Sequence, residues 1–164
     1  MRTFSIIVFF AALLVASLLM VAQAKADDPP PEWFLPQIET RDGYQYVRHM
    51  NQEFGPYDHV YIHGVINSKV CFEVQHRGSW YVHWGTNEPL YGPHEEVRVY
   101  GGHDAKLLVV FRDNGGYYVR LGDTIWGKFD RIGRARYDDG RVYAIVIDGN
   151  ITVEREMTDD VLVK

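Results

Sequence analysis

The sequence has little of what usually reveals a function. Cys71 is its only cysteine, so the chain cannot form an internal disulfide, and we expect a small buried side chain in a strand. The 22 acidic residues outnumber the 17 basic ones and no basic cluster stands out, which disfavours nucleic acid and anionic lipid as ligands. Neither a G-x-S-x-G nor an H-E-x-x-H motif is present. The sequence therefore indicates no catalytic residue, no metal ligand and no cofactor.

The first 26 residues have the pattern of a secretory signal peptide. Arg2 precedes an apolar run over residues 4–22, and the small-residue tripeptides AQA and AKA end at residues 24 and 26. We therefore expect a secreted or periplasmic protein. The alternative is an uncleaved membrane anchor formed by residues 4–22, because a run of that length can span a bilayer. Removal of the peptide would leave 15 basic against 22 acidic residues, a net charge of −7.

Three segments follow the signal peptide. Residues 27–42 form a proline-rich spacer and N-terminal extension, in which consecutive prolines favour an extended polyproline conformation. Residues 43–156 form a β-repeat domain, and residues 157–164 form a C-terminal tail. This is one domain's worth of chain, and it is long enough to bury a sizeable core.

The domain is built from copies of one pattern. Residues 43–60 read GYQYVRHMNQEFGPYDHV, residues 78–97 read GSWYVHWGTNEPLYGPHEEV and residues 115–132 read GGYYVRLGDTIWGKFDRI. In each copy an aromatic-glycine pair is followed by an acidic residue two positions before a valine or isoleucine. These positions are Phe54, Gly55 and Asp58; Tyr91, Gly92 and Glu95; and Trp126, Gly127 and Asp130. The pairs recur after 37 and 35 residues, and such a period indicates a repeat architecture.

The residue types in the copies predict β-structure. Val, Ile, Tyr, Phe and Trp fill short runs that end at turns rich in Gly, Asn and Asp, and no apolar residues recur at helical spacing over three turns. We predict an all-β antiparallel meander of about three tandem repeats of 35–37 residues, with three strands in each and about ten in all. One repeat position, four residues after a turn glycine, is expected to hold Val47, Val82, Val119 and Val153.

The longest apolar runs favour a propeller-blade-like arrangement. The runs that begin at Leu107 and Val142 are apolar on both faces, so their sheets are expected to be covered on both sides, like the blades of a propeller. The alternative is an up-and-down β-barrel, in which one face of every strand would be polar. Three copies are too few for a closed propeller. Pairing of the strand at residues 43–50 with that at residues 149–156, or a second chain, could complete a ring.

The pattern of turn and aromatic residues resembles that of a known family of repeats. The segments GPYD at residues 55–58, GPHE at residues 92–95 and GKFD at residues 127–130 each precede an apolar strand. Over residues 43–156 the chain resembles the divergent WD40-like β-propeller repeats of exported bacterial proteins. The resemblance implies a recognition scaffold and supplies no catalytic residues.

The polar residues leave two functions open. The repeated acids are expected to cap turns, since a chemical site rarely needs the same group from every repeat. We therefore expect an exported, non-catalytic binding or interaction module, whose partner is a protein or a second copy of the chain. The alternative is an extracytoplasmic hydrolase with a site at a blade face, which would use His59, His94 and the repeated acids.

Overall fold

A computed structural model describes residues 35–85 and 89–163 of the chain. The predicted signal peptide, the alternative anchor at residues 4–22, the prolines at residues 29–31 and residues 86–88 of one loop lie outside the described residues. In the part that is described, no helix is long and apolar enough to cross a membrane.

The described residues form fourteen strands and one short 3-10 helical turn at Asp159–Val161. The strands are β1 (Gln37–Arg41), β2 (Tyr44–His49), β3 (Gln52–Tyr57), β4 (His59–Ile66), β5 (Lys69–His76), β6 (Ser79–Trp84), β7 (Tyr91–His94), β8 (Glu96–His103), β9 (Lys106–Asp113), β10 (Gly116–Leu121), β11 (Thr124–Phe129), β12 (Arg131–Asp138), β13 (Arg141–Asp148) and β14 (Ile151–Glu156). The first strand lies within the segment that the sequence suggests as an N-terminal extension.

The strands form four antiparallel sheets in chain order. The first sheet has the order β1-β2-β3, the second β4-β5-β6-β7, the third β8-β9-β10-β11 and the fourth β12-β13-β14. Within each sheet every strand pairs with its neighbours in the chain, so the prediction of an all-β antiparallel meander is confirmed. The described strands form four separate sheets, rather than the one closed sheet of the barrel alternative.

A complete copy contributes four strands, so the prediction of three strands per copy and about ten in all is wrong. The strand that the count missed carries the aromatic-glycine pair: β3, β7 and β11 are all strands of this kind. They are edge strands that pair with β2, β6 and β10. Glycine and proline in a sequence signal turns, but proline is also tolerated in an edge strand, and glycine marks close approach of another backbone.

The four sheets stack, and each of the three interfaces has its own apolar core. The core between the first and second sheets consists of Val47, Phe54, Val70, Phe72 and Val74. The core between the second and third consists of Cys71, Val82, Trp84, Tyr91, Val97, Val99, Leu107, Val109 and Phe111. The core between the third and fourth consists of Leu108, Val110, Val119, Trp126, Phe129, Ile132, Ala135, Val142, Ala144, Val146 and Met157. Each fully buried Val or Phe stabilises the fold by about 1.5–3 kcal/mol relative to exposure.

The outer face of the first sheet carries a ladder of ion pairs. Arg41 Nη2 lies 2.7 Å from Glu53 Oε1, and Arg48 Nη1 lies 3.2 Å from Glu39 Oε2. The Arg41 guanidinium also lies 3.9 Å from the ring centre of Tyr46. The charged side chains on this face are 39–61% exposed, so no other sheet covers them.

The outer face of the fourth sheet has the same chemistry. Arg136 donates from Nε to Glu154 Oε1 at 3.0 Å, and Arg141 donates from Nη1 to Glu156 Oε2 at 3.2 Å. The Arg136 guanidinium lies 4.5 Å from the ring centre of Tyr143. Exposed ion pairs contribute little to stability. They do give both ends of the stack the polar outer face that terminal repeats need for solubility.

Val153 does not occupy the repeat position that the sequence suggests for it. In the first three sheets that position faces the next sheet and is held by fully buried valines, Val47, Val82 and Val119. In β14 the position is held by Glu154, which lies opposite Ile145. The reason is the last hairpin, in which Gly149 is the first of two turn residues, whereas Gly43, Gly78 and Gly115 are second in the corresponding turns of the first three sheets. A shift of one residue turns a side chain to the other face of the sheet.

The pairing suggested to complete a ring is not formed. The strand β2 pairs with β1 and β3, and β14 pairs with β13. The end of the chain instead returns to the third sheet, where Leu162 bridges to Trp126 and the Val163 N–H donates to the Ile125 carbonyl at 2.8 Å. Met157 is buried in the last core. The tail therefore covers part of the edge of β11, whose backbone groups would otherwise be open to another strand.

A tyrosine of the neighbouring strand lies on the glycine of each aromatic-glycine pair. The pairs are Gly55 with Tyr46, Gly92 with Tyr81 and Gly127 with Tyr118. A Cβ added at these glycines would lie 2.5–2.9 Å from the tyrosine Cδ1, which is closer than side-chain carbons approach. The glycine φ angles are 131°, 124° and 155°, and the peptide bond after each glycine is cis. The three copies therefore share one backbone geometry and one close contact.

We expect Gly92→Ala to destabilise the protein more than Gly101→Ala does. Both glycines have a positive φ, 124° and 139°, so both substitutions carry a backbone cost of about 1–3 kcal/mol. Only at Gly92 would the new Cβ meet Tyr81, at 2.6 Å, which adds about 1–3 kcal/mol; the space at Gly101 is open. Urea unfolding of both variants measures the difference. Equal losses would show that the close contact does not constrain the fold.

Candidate functional site

The repeated aromatic residues hold matching places in the cores. Each is buried on the third, seventh or eleventh strand and lies directly opposite a buried valine. The opposed pairs are Phe54 with Val47, Tyr91 with Val82, and Trp126 with Val119. In all three sheets the ladder shifts register just beyond this pair. The aromatic positions therefore serve packing between sheets.

The repeated acids are single residues that link one sheet to the next. They are Asp58, Glu95 and Asp130. The first accepts a hydrogen bond from the Arg77 N–H at 2.7 Å, and the second pairs with Arg112 at 3.1 Å. The third lies beside Asp148, and the interaction between the two carboxyls raises the pKa of Asp148 above its ordinary value. Three unlike partners at three separate links do not make one chemical site.

The two histidines of the hydrolase alternative are not brought together. His59 lies on β4 and His94 on β7, the two edges of the second sheet. They stand at opposite ends of one cross-strand row, with Gln75 and Trp80 between them. Three strand spacings separate them by roughly 14 Å. His59 is exposed, whereas His94 is largely buried.

One of these histidines does bind a carboxylate. His94 Nδ1 lies 2.7 Å from Asp113 Oδ2, and the His94 ring stacks on Phe111 with its centre 4.3 Å away. Among the described residues, no serine, threonine or cysteine is hydrogen-bonded to this pair. The arrangement fixes the imidazole between the second and third sheets but supplies no nucleophile for it to activate.

A second histidine–carboxylate pair lies between the same two sheets. Glu73 on β5 is 6% exposed, and its Oε1 accepts hydrogen bonds from His63 Nε2 at 2.8 Å and from the Val99 N–H at 2.5 Å. The second bond crosses from one sheet to the next. A carboxylate can be buried only where hydrogen bonds replace its water, and here both donors meet one oxygen. Glu73 is thus a polar contact inside an apolar interface.

The buried pair lines a pocket of about 380 Å³ between the second and third sheets. Its lining consists of Tyr61, His63, Glu73, Arg98, Val99 and Tyr100. Tyr61 is 61% exposed and meets the His63 ring edge-on, with the ring centres 4.9 Å apart. The pocket therefore combines a deep carboxylate with tyrosines near the surface.

A second pocket, of about 260 Å³, lies one repeat further along, between the third and fourth sheets. It is lined by residues 100–103 of β8, residues 134–137 of β12, and Leu108. Tyr100 lines both pockets and donates a hydrogen bond to the Gly133 carbonyl at 3.1 Å. We call the surface along the first strands of the last three sheets the first-strand face. It consists of Tyr61, Arg98, Tyr100, Arg134 and Tyr137.

Sequence reasoning missed the first-strand face, because its residues do not stand at the repeated positions. The available signal was weak. In β4 and β8, Tyr61 and Arg98 alternate with apolar residues that turn inward, which is typical of a strand with one face in solvent. The stacking of the sheets decides which strands lie next to each other on this face. The alternation of polar and apolar residues does not reveal how the sheets stack.

No family model, no curated protein and no solved structure matches the chain. Within residues 35–85 and 89–163, no three His, Cys, Asp or Glu side chains are grouped as metal ligands would be.

We expect Glu73→Ala to lower the free energy of unfolding by about 1–3 kcal/mol, because the Val99 N–H would lose its acceptor inside the protein. The matched control is Glu95→Ala, which removes an exposed ion pair with Arg112 and should cost about 0.5 kcal/mol or less. Thermal or urea unfolding compares the two. A Glu73→Ala variant as stable as Glu95→Ala would refute the role of this cross-sheet hydrogen bond.

We expect Cys71 to resist alkylation in the folded protein. The side chain is fully buried, and burial, with a smaller contribution from the Glu73 charge, raises the pKa of the thiol to about 12. Since the thiolate is the reactive form, iodoacetamide at about pH 8 should label Cys71 only after denaturation. An added cysteine at the exposed position Thr40→Cys serves as the control. Labelling of Cys71 as fast as this control would contradict its burial.

Proposed function

We propose that the protein is an exported, non-catalytic binding module built on β-propeller-like repeats, and that it binds a protein partner through the first-strand face. One observation carries the proposal: two pockets adjoin at Tyr100, each between the first strands of two successive sheets. The export of the protein is inferred from the predicted signal peptide alone.

The composition of the first-strand face supports a protein partner. Tyrosine and arginine are enriched in the residues that contribute most to protein–protein affinity, because each combines a large contact area with hydrogen bonding. Both residue types line the two pockets here. The repeated aromatic residues, in contrast, are buried in the cores and cannot reach a partner.

A non-catalytic function is supported by what surrounds the two histidine–carboxylate pairs. Neither His63 nor His94 has a hydroxyl or thiol of serine, threonine or cysteine bonded to it in the described ranges. The hydrolase alternative is favoured by one contact, that between His94 and Asp113. Within residues 35–85 and 89–163, no other side chain is hydrogen-bonded to His94 or Asp113 as an acid, base or nucleophile would be.

The test compares two double variants of the purified protein. Tyr61→Ala with Arg134→Ala removes one side chain from each pocket. The control, Tyr44→Ala with Arg48→Ala, removes an exposed tyrosine and an exposed arginine from the outer face of the first sheet. We expect capture of a partner from the native secreted fraction to fall at least tenfold in the first variant, and to stay unchanged in the control. Equal capture by both variants would reject the first-strand face as the binding surface.

A further inference from the structure

We propose that the pocket between the second and third sheets takes a cationic group, an ammonium or a guanidinium, and that this group is a lysine or arginine side chain of the partner. The inference rests on the proposed binding function. It adds a chemical class of ligand and a residue, Glu73, that would recognise it.

The first argument is the unused oxygen of Glu73. Both donors, His63 Nε2 and the Val99 N–H, bind Oε1, and within the described residues Oε2 has neither a hydrogen bond nor an ion pair. Because a carboxylate oxygen only accepts, His63 must donate from Nε2. A carboxylate that is nine-tenths buried is costly unless its oxygens are compensated. Glu73 lines the pocket, so Oε2 is the acceptor left for a ligand.

The second argument is the aromatic wall. Tyr61 and Tyr100 line the same pocket, and the face of a tyrosine ring attracts a cation. A buried carboxylate beside tyrosine rings therefore favours a positive ligand over a neutral or negative one. The net charge of the chain, −5, also attracts cations from solution.

Arg98 is the one lysine or arginine side chain in the lining of the pocket, and its charge does not prevent a cation from entering. Its side chain is 65% exposed, and Nη2 lies 3.4 Å from Glu96 Oε1. The guanidinium is therefore turned towards solvent and paired with a carboxylate. The repulsion that it exerts on an incoming cation is offset by Glu96.

The size of the pocket limits the ligand to a small group. A volume of about 380 Å³ is near the lower end of the range for small-molecule sites, which begins at about 300 Å³. One basic side chain or one amino-sugar ring fits this limit. We favour the side chain, because the first-strand face continues past Tyr100 to a second pocket, along which a protein segment can extend.

The experiment titrates the purified full chain with a short lysine peptide, blocked at both ends, and with the same peptide acetylated on the lysine. Binding is followed by calorimetry or by NMR. We expect acetylation to weaken binding at least tenfold, because it removes the charge and keeps the shape. Glu73→Gln should weaken binding of the lysine peptide by a similar factor, and Tyr61→Leu by several-fold. Tyr44→Leu, an exposed tyrosine on the first sheet, should leave it unchanged.

Three results would overturn the inference. The first is equal binding of the two peptides. The second is that the Tyr61→Leu variant binds the lysine peptide as tightly as the unchanged protein does. This second result rejects the inference even if Glu73→Gln does not fold. The third is tighter, Glu73-dependent binding of an oligomer of glucosamine, which would assign the pocket to an amino sugar. Failure of the lysine peptide, together with loss of partner capture by the first-strand variant, rejects this inference and leaves the proposed function intact.

Discussion

The fold depends on central strands that are buried on both faces. In β5, Phe72 packs against the first sheet and Cys71 against the third, and β9 alternates in the same way between its two neighbours. A single sheet of this kind cannot bury its apolar faces alone, and stacking against its neighbours buries them. Each sheet here is stabilised by its neighbours, so the stack is the unit that folds, as in other repeat proteins.

The two end sheets solve the problem that such a stack creates. An inner sheet offers an apolar face in both directions, and the last one in a row would leave one face uncovered. In the fourth sheet the valine that faces the next sheet is replaced by Glu154, which Arg136 holds across the strands. The first sheet places Glu39, Arg41 and Arg48 on its outward face. The charged ladders end the stack without a further partner sheet.

Much of the fold can be predicted from the sequence, because it depends on residue patterns within short segments of the chain. The period of 35–37 residues, the β-branched and aromatic runs and the turn glycines predict an all-β repeat meander, and the structure has one. The predicted number of strands is too low because β3 and β7 contain glycine and proline, which in a sequence indicate turns. The register of β14 was missed because Gly149 stands one place early in its turn.

The candidate site cannot be predicted from the sequence, for a different reason. Glu73 appears in the sequence as a lone acid in the apolar run VCFEV, and nothing near it in the chain explains why it is tolerated. Its cross-sheet partner is the N–H of Val99, 26 residues further on, which reaches it only after the third sheet has stacked on the second. Contacts between stacked sheets join residues that are far apart in the sequence. Neither the hydrophobic pattern nor the turn residues predict them.

The division between capped end sheets and doubly apolar inner sheets makes the architecture extensible. A duplicated inner unit of 35–37 residues would meet an apolar neighbour on each side, and both solubilising ladders would stay where they are. Each added unit would also contribute one more first strand to the first-strand face, next to the first strand of the preceding sheet. Gene duplication within the chain would therefore change the number of junctions between sheets along the first-strand face, without redesign of either terminal sheet.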